Sequence, residues 1–190
     1  MTARLLPLIQ VVIVVVCVAV TVVVAAAVHA GQLREIVGER VGAVSRSLAA
    51  LPEVQEALRA DAGVTQAEAT ARLQPVADLV HAAADVDYVV ITDVTGIRLT
   101  HPTVELRGQA VSTDPGDVLA GEEFLGTETG TLGESYRAKV PIYVDGEIRG
   151  TASVGILESR IAVDAADARG GVLPWALGAG VLGTGLSAIL

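Results

Sequence analysis

Apolar residues are unevenly distributed along the chain. From Leu5 to Val28 no charge occurs in twenty-four positions, more than the ~20 residues a helix needs to cross a hydrocarbon core of ~30 Å. A membrane span is therefore predicted over 5–28, preceded by a short cytoplasmic N-terminus, residues 1–4. A cleavable signal peptide ending near Val28-His29-Ala30 is the competing explanation, but its apolar stretch is ordinarily only about 7–15 residues. A second uncharged stretch, Val172 to Leu190, is nineteen residues long and meets the end of the sequence without a basic flank. It is expected to be a second span, with the parent sequence truncated there. Residues 29–171 then form one extracytoplasmic domain, about 140 residues, enough for one modest core.

Within that domain the apolar period changes once. Val37, Val41, Val44, Leu48 and Leu51 recur at alternating intervals of four and three, which predicts a helix with one apolar seam leaving the first span. The seam suits packing on its own domain or dimerisation, and the spacing leaves both open. Leu51-Pro52 interrupts this helix, and Pro52 can open the next short one. Thr65-Gln66-Ala67-Glu68 reads as a capping box. It starts a helix with Leu73, Val76, Leu79 and Val80 on one side, a bend expected at Pro75, and an end near Ala84. Thereafter the period is that of strands. Tyr88–Thr92 turns at Asp93-Val94-Thr95-Gly96 into extended Ile97–Thr100, and Asp145-Gly146 joins Arg137–Val144 to Glu147–Ile156 through a type I′ turn. Helices followed by antiparallel strands predict an α+β domain.

Composition narrows the function. The chain is 52% hydrophobic with positive mean hydropathy, which the two uncharged stretches explain. Twelve of its thirteen basic residues and all twenty-two acidic ones lie between the spans, so the domain is acidic and nucleic acid is excluded as an expected partner. Only Arg4 precedes the first span, so the outside location is inferred from architecture rather than from counting basic residues. The one cysteine, Cys17, lies within the first span and can form neither an internal disulfide nor a metal cluster; bulky Val16 before it argues against a lipoprotein site. No nucleophile elbow, metal-ligand spacing or catalytic carboxylate pair occurs, and Asp85 and Asp87 read as loop acids. No catalytic residue, metal or cofactor is expected.

The chemistry concentrates in SYRAKVPIY. Lys139 is the single lysine of the chain, two residues from Arg137, so both cations leave a strand on the same face. Tyr136, Ala138, Val140 and Ile142 form the opposite face, expected to pack on the core. Two like charges side by side need solvent or an anion, and these residues alone leave either open. GIRLTHP adds Arg98 and His101, three apart, which a regular strand would send to opposite faces; the strand must bend or end between them. Gly130-Thr131-Leu132-Gly133 is a glycine-bracketed loop leading into the cationic strand.

In their order and spacing, VVITDVTGIRLTHP, GTLGESYRAKVPIY and GTASVGI resemble the extracytoplasmic domain of citrate and C4-dicarboxylate sensor histidine kinases. The resemblance covers most of Leu33 to Ile161. It implies a PAS-like (single Cache) domain with N-terminal helices and a five-stranded antiparallel sheet, flanked by two transmembrane helices. It further implies that Arg98, His101, Thr131, Leu132, Arg137, Lys139 and Ser153 line a carboxylate pocket with Arg137 as principal clamp. The chemistry agrees, since a guanidinium fork matches a carboxylate and an ammonium adds a point charge. YRAK resembles the citrate-type pattern, dicarboxylate sensors tending to carry an aromatic at the place of Lys139, so citrate is favoured over malate, succinate or fumarate.

These 190 residues contain no phosphoacceptor helix and no ATP-binding domain. The expected parent is a multi-pass plasma-membrane sensor kinase, a homodimer acting on a response regulator. The alternatives are a chemoreceptor or cyclase carrying the same ligand domain, or a structural membrane dimer using the small residues Ala176, Gly180, Thr184 and Ala188.

Overall fold

The computed structural model describes residues 5–59 and 63–166. They fall into two units, one comprising residues 5–34 together with 162–166, the other Glu35–Ile161. In the first unit the helix α1, which spans Leu5–Ala49, carries exposed valines such as Val12, Val15 and Val23. Among the described residues it is the one helix long and apolar enough to cross a membrane. The second expected span, 172–190, lies outside the described residues.

The second unit is an α+β domain. After α1 come α2 (Pro52–Ala57) and α3 (Gln66–Ala84), then β1 (Tyr88–Asp93). A single 3₁₀ turn (Val104–Leu106) and the one-turn α4 (Gly116–Leu119) precede β2 (Phe124–Gly130), β3 (Gly133–Val144) and β4 (Glu147–Leu157). The strands form an antiparallel sheet in the order β1-β4-β3-β2. Residues 158–166 leave β4 directly as a helix.

Local chemistry accounts for these elements. Pro52 sits at the start of α2, where its missing N–H costs nothing. Thr65 and Glu68 form the reciprocal capping box of α3, which continues through Pro75 as one helix. Asp145 and Gly146 both have positive φ, 53° and 85°, the geometry that lets a two-residue turn match the twist of its strands.

Register divides the sheet into two faces. One face carries Ile91, Ala138, Val140, Ile142, Ala152 and Val154, all buried. The α1 seam lies on this side. Val37, Val41 and Leu48 are buried, Ser45 donates a hydrogen bond to the Ala138 carbonyl, and Gly38 faces the Tyr136 ring. Val37, Val41 and Leu48 of the seam thus pack on their own domain, with Val44 and Leu51 half-buried.

Two expectations need correction. Among the described residues the sheet has four strands, not five. The Ile97–Thr100 return is reduced to the isolated bridge Thr92–Arg98, because the Thr100 hydroxyl takes the Ile91 N–H at 2.8 Å where a continuing backbone ladder would have supplied the acceptor. On α3 the buried line is Ala69, Leu73, Gln74 and Ala77, whereas Leu79 is 69% exposed. Leu79 lies about two-fifths of a turn from the middle of that line at ~100° per residue.

Candidate functional site

The other face of the sheet is polar yet buried. Arg137 on β3 stands opposite Gly155 of β4, which stands opposite Tyr88 of β1; one pair along, Lys139 faces Ser153, which faces Val90. Arg137 and Lys139 are each only 7% exposed, so they do not decorate a solvent face. A loop segment covers them, running from Arg98 through His101 to Pro115, and with the Thr131-Leu132 turn it borders a half-open cavity. About 50 Å³ of that cavity is open to water-sized molecules, several times what one water needs.

All seven residues singled out in the sequence, Arg98, His101, Thr131, Leu132, Arg137, Lys139 and Ser153, line this cavity. Arg98 and His101 come together there because the chain stops being a strand between them. Arg98 is held by the Ala110 carbonyl at 2.7 Å, and burial pulls its guanidinium below its ordinary value. The backbone N–H of His101 donates to Gln74 of α3 at 3.1 Å, and its carbonyl accepts from Arg107 at 2.9 Å. On the ring, Nδ1 accepts from the Thr103 N–H at 2.9 Å and Nε2 lies 3.1 Å from the Thr131 hydroxyl. The Thr103 N–H contact fits a neutral ring with the proton on Nε2, whose partner is then the Thr131 hydroxyl. Nδ1 is also 3.2 Å from the Thr103 carbonyl, a ready acceptor should the ring take a second proton. Burial pushes His101 below the usual imidazole value, the Thr103 carbonyl opposes this, and Arg98 and Arg107 add to it.

Three residues missed in the sequence shape the cationic row. Ser135 accepts from Arg137 Nε at 2.9 Å and Nη2 at 2.6 Å, and its oxygen is 2.9 Å from the Tyr88 hydroxyl. The Tyr88 ring lies under the guanidinium, 5.5 Å from ring centre to Cζ, and burial raises its phenol against the opposing charge of Arg137. Glu128, on the edge strand β2, brings Oε2 to 2.5 Å from Lys139 Nζ and 3.5 Å from Arg137 Nη1. Lys139 also donates to the Thr113 hydroxyl at 2.9 Å and sits 5.2 Å from the Phe124 ring centre. Ser135 could have been found by continuing the two-residue period back from Arg137. Glu128 could not, because the glycine-rich FLGTETG stretch does not read as a strand.

The site therefore offers three cations, a neutral imidazole, hydroxyls from Thr131 and Ser153, and one acidic side chain. The charges on the cavity wall are thus mostly positive; among the described residues no cluster of His, Cys, Asp and Glu could hold a metal ion.

Known proteins share this fold and sequence. The sensor protein CitS of Halalkalibacterium halodurans is 32% identical over 132 residues, covering 68% of this chain and 23% of that protein. The sensor histidine kinase DpiB of Escherichia coli is 40% identical over 92 residues, 47% of this chain and 17% of that protein. The chain thus spans about a quarter or less of the curated relatives it matches. Among solved structures, the Escherichia coli DcuS sensor domain superposes with a TM-score of 0.60 at 27% identity, covering 69% of this chain and 96% of that domain. The Vibrio cholerae DctB sensor domain, at TM-score 0.62 and 13% identity over 72% of this chain and 55% of that one, shares the fold. Residues 29–169 match the single Cache domain 3 family, and the chain belongs to that family, homologous to the sensory domains of sensor histidine kinases.

Proposed function

We propose that this domain binds a small acid with two or three carboxylates outside the membrane and passes the event to a cytoplasmic histidine kinase. The observation that carries the reading is the burial of Arg137 and Lys139 side by side on a cavity wall, since buried like charges are retained where an anion meets them. Arg137 is the principal clamp, its plane fixed by Ser135. Arg98, His101, Thr131, the Leu132 backbone and Ser153 surround the rest of the acid. Lys139, as the further cation, favours citrate over malate, succinate or fumarate.

Charge-assisted hydrogen bonds contribute roughly 1.5–3 kcal/mol each, and three or four of them support micromolar binding, about −8 kcal/mol, once association costs are met. The output route is the helix that leaves β4 at residue 158, which would carry a displacement of β3 and β4 towards the second span. Dimerisation and transfer to a response regulator would follow in the intact protein.

The test is calorimetric titration of the chain in nanodiscs with citrate, succinate, malate and acetate. Citrate should bind most tightly, Arg137→Ala should abolish binding, and Lys139→Ala should weaken citrate more than succinate. Absence of heat with every acid would overturn the reading. A response confined to dicarboxylates and indifferent to Lys139 would reverse the choice of acid.

A further inference from the structure

We propose that Glu128 is a tethered carboxylate that occupies the Arg137–Lys139 pair while the pocket is empty of acid, and that a ligand carboxylate takes its place on binding. This rests on the carboxylate reading of the pocket and adds a competitor built into the chain.

The geometry is that of a substitute ligand. Glu128 faces Ser135 across the β2–β3 ladder, and Gly126 faces Arg137, so the Glu128 side chain projects on the cationic face with no side chain between it and Arg137. Its Oε2 reaches both cations, 2.5 Å from Lys139 Nζ and 3.5 Å from Arg137 Nη1, and is sealed from solvent. Oε2 is held as an ion pair to the two cations and makes no aligned hydrogen bond. Arg137 spends Nε and Nη2 on Ser135 and on the Glu128 backbone carbonyl, while Nη1 makes its ion-pair contact with Oε2 at 3.5 Å. A Cβ placed on Gly130 would stand 2.8 Å from Nη2 and 3.1 Å from Nη1, and Gly130 lines the cavity. Both terminal nitrogens of the guanidinium are therefore beside the cavity wall.

The exchange is also electrically balanced. Two adjacent cations shielded from water repel strongly unless an anion is near, so the cations keep a partner before and after the exchange. The side chains of Arg137 and Lys139 are 8% and 9% exposed against 26% for Glu128: the cations are fixed, whereas the carboxylate has an outward path. Glu128 also lies on the edge strand and three residues before the Thr131-Leu132 turn. Its release would free the strand end that carries two other pocket residues, linking occupancy to the shape of the sheet edge. An intramolecular competitor acts at high effective concentration, so every acid must overcome the same threshold. Acids with a single carboxylate, lacking further contacts to Arg98 and His101, fall below it.

The test is Glu128→Gln in the whole chain in nanodiscs, titrated calorimetrically with acetate, succinate and citrate beside the parent chain. Removing the competitor should tighten all three by roughly tenfold or more, bringing acetate into the measurable range. If the parent chain binds citrate and Glu128→Gln binds it equally or more weakly, the exchange is wrong while the carboxylate reading stands. If neither chain takes up any acid, the carboxylate reading itself falls, and the exchange with it. Should Glu128→Gln fail to fold, a structure of the parent chain with citrate decides. Glu128 no longer within ion-pair distance of Lys139 supports the exchange, and Glu128 still seated on Lys139 overturns it.

Discussion

The Ser135 hydroxyl accepts two hydrogen bonds from the Arg137 guanidinium, from Nε at 2.9 Å and from Nη2 at 2.6 Å. One small side chain thereby fixes the plane in which a clamp residue presents its remaining arm. Ser135→Ala removes that fixation without removing the charge and leaves the Tyr88 hydroxyl without this partner. We expect citrate affinity to fall about tenfold, with a stability loss of about 1–3 kcal/mol. Calorimetric titration and chemical denaturation measure the two. Unchanged affinity would show that Arg137 is held in place by Tyr88 and the strand alone.

His101 gives the domain a pH dependence of definite sign. Its folded value is depressed, chiefly by burial, so the unfolded chain takes up the proton first as pH falls. The His101 contribution to stability is complete above about pH 6.5 and is lost as pH drops from there through the lowered folded value. Denaturation at pH 7.5 and 5.5 should show a smaller loss in His101→Asn than in the parent chain. An acid bound beside the ring favours imidazolium, so binding should be accompanied by proton uptake. Titration in two buffers of different ionisation heat measures this, and zero uptake would place the carboxylates away from His101.

Gly155 lies between Tyr88 and Arg137 in the sheet. A Cβ there would come within 2.3 Å of the Tyr88 hydroxyl and 2.4 Å of its ring, so the buried ring that lies under Arg137 would have to shift. Gly155→Ala should cost about 1–3 kcal/mol through overpacking and weaken acid binding together with stability. The Gly150 position is tighter still, since its Cβ would meet the Thr92 carbonyl oxygen at 2.0 Å. Gly150→Ala should therefore destabilise at least as much, with little effect on affinity in whatever fraction remains folded. Thermal unfolding of both variants with and without citrate separates the two effects.

The start of the helix after β4 is tied to the end of α3. Asp87 accepts from the Leu157 N–H at 2.7 Å and from Arg160 at 2.9 Å, and Arg160 also pairs with Asp85, whose carboxyl that hydrogen bond holds below its usual value. Arg160→Ala should speed amide exchange at residues 157–161 by severalfold while leaving citrate affinity unchanged. Equal protection in both chains would show that the backbone ladder of β4 alone secures this segment.

Much of this protein follows from its sequence without reference to any structure. An uncharged stretch of twenty-four residues, a Thr–Glu capping box and an Asp-Gly hairpin are local devices, and local chemistry decides them. The alternation that puts Arg137 and Lys139 on one face is equally local, and the resemblance carried by three short motifs named seven of the residues that line one cavity. What the sequence did not determine involves partners distant along the chain. Whether the cationic face met water or a wall depended on the loop from Arg98 to Pro115 folding across it. The fifth strand dissolved because a Thr100 hydroxyl took a backbone donor. FLGTETG became an edge strand only through pairing with β3, since two glycines weaken its intrinsic preference. Glu128 reached Arg137 and Lys139 only through that register. A row of side chains across a sheet is assembled by hydrogen bonds between segments far apart in sequence, and its members meet only when the tertiary structure sets their alignment.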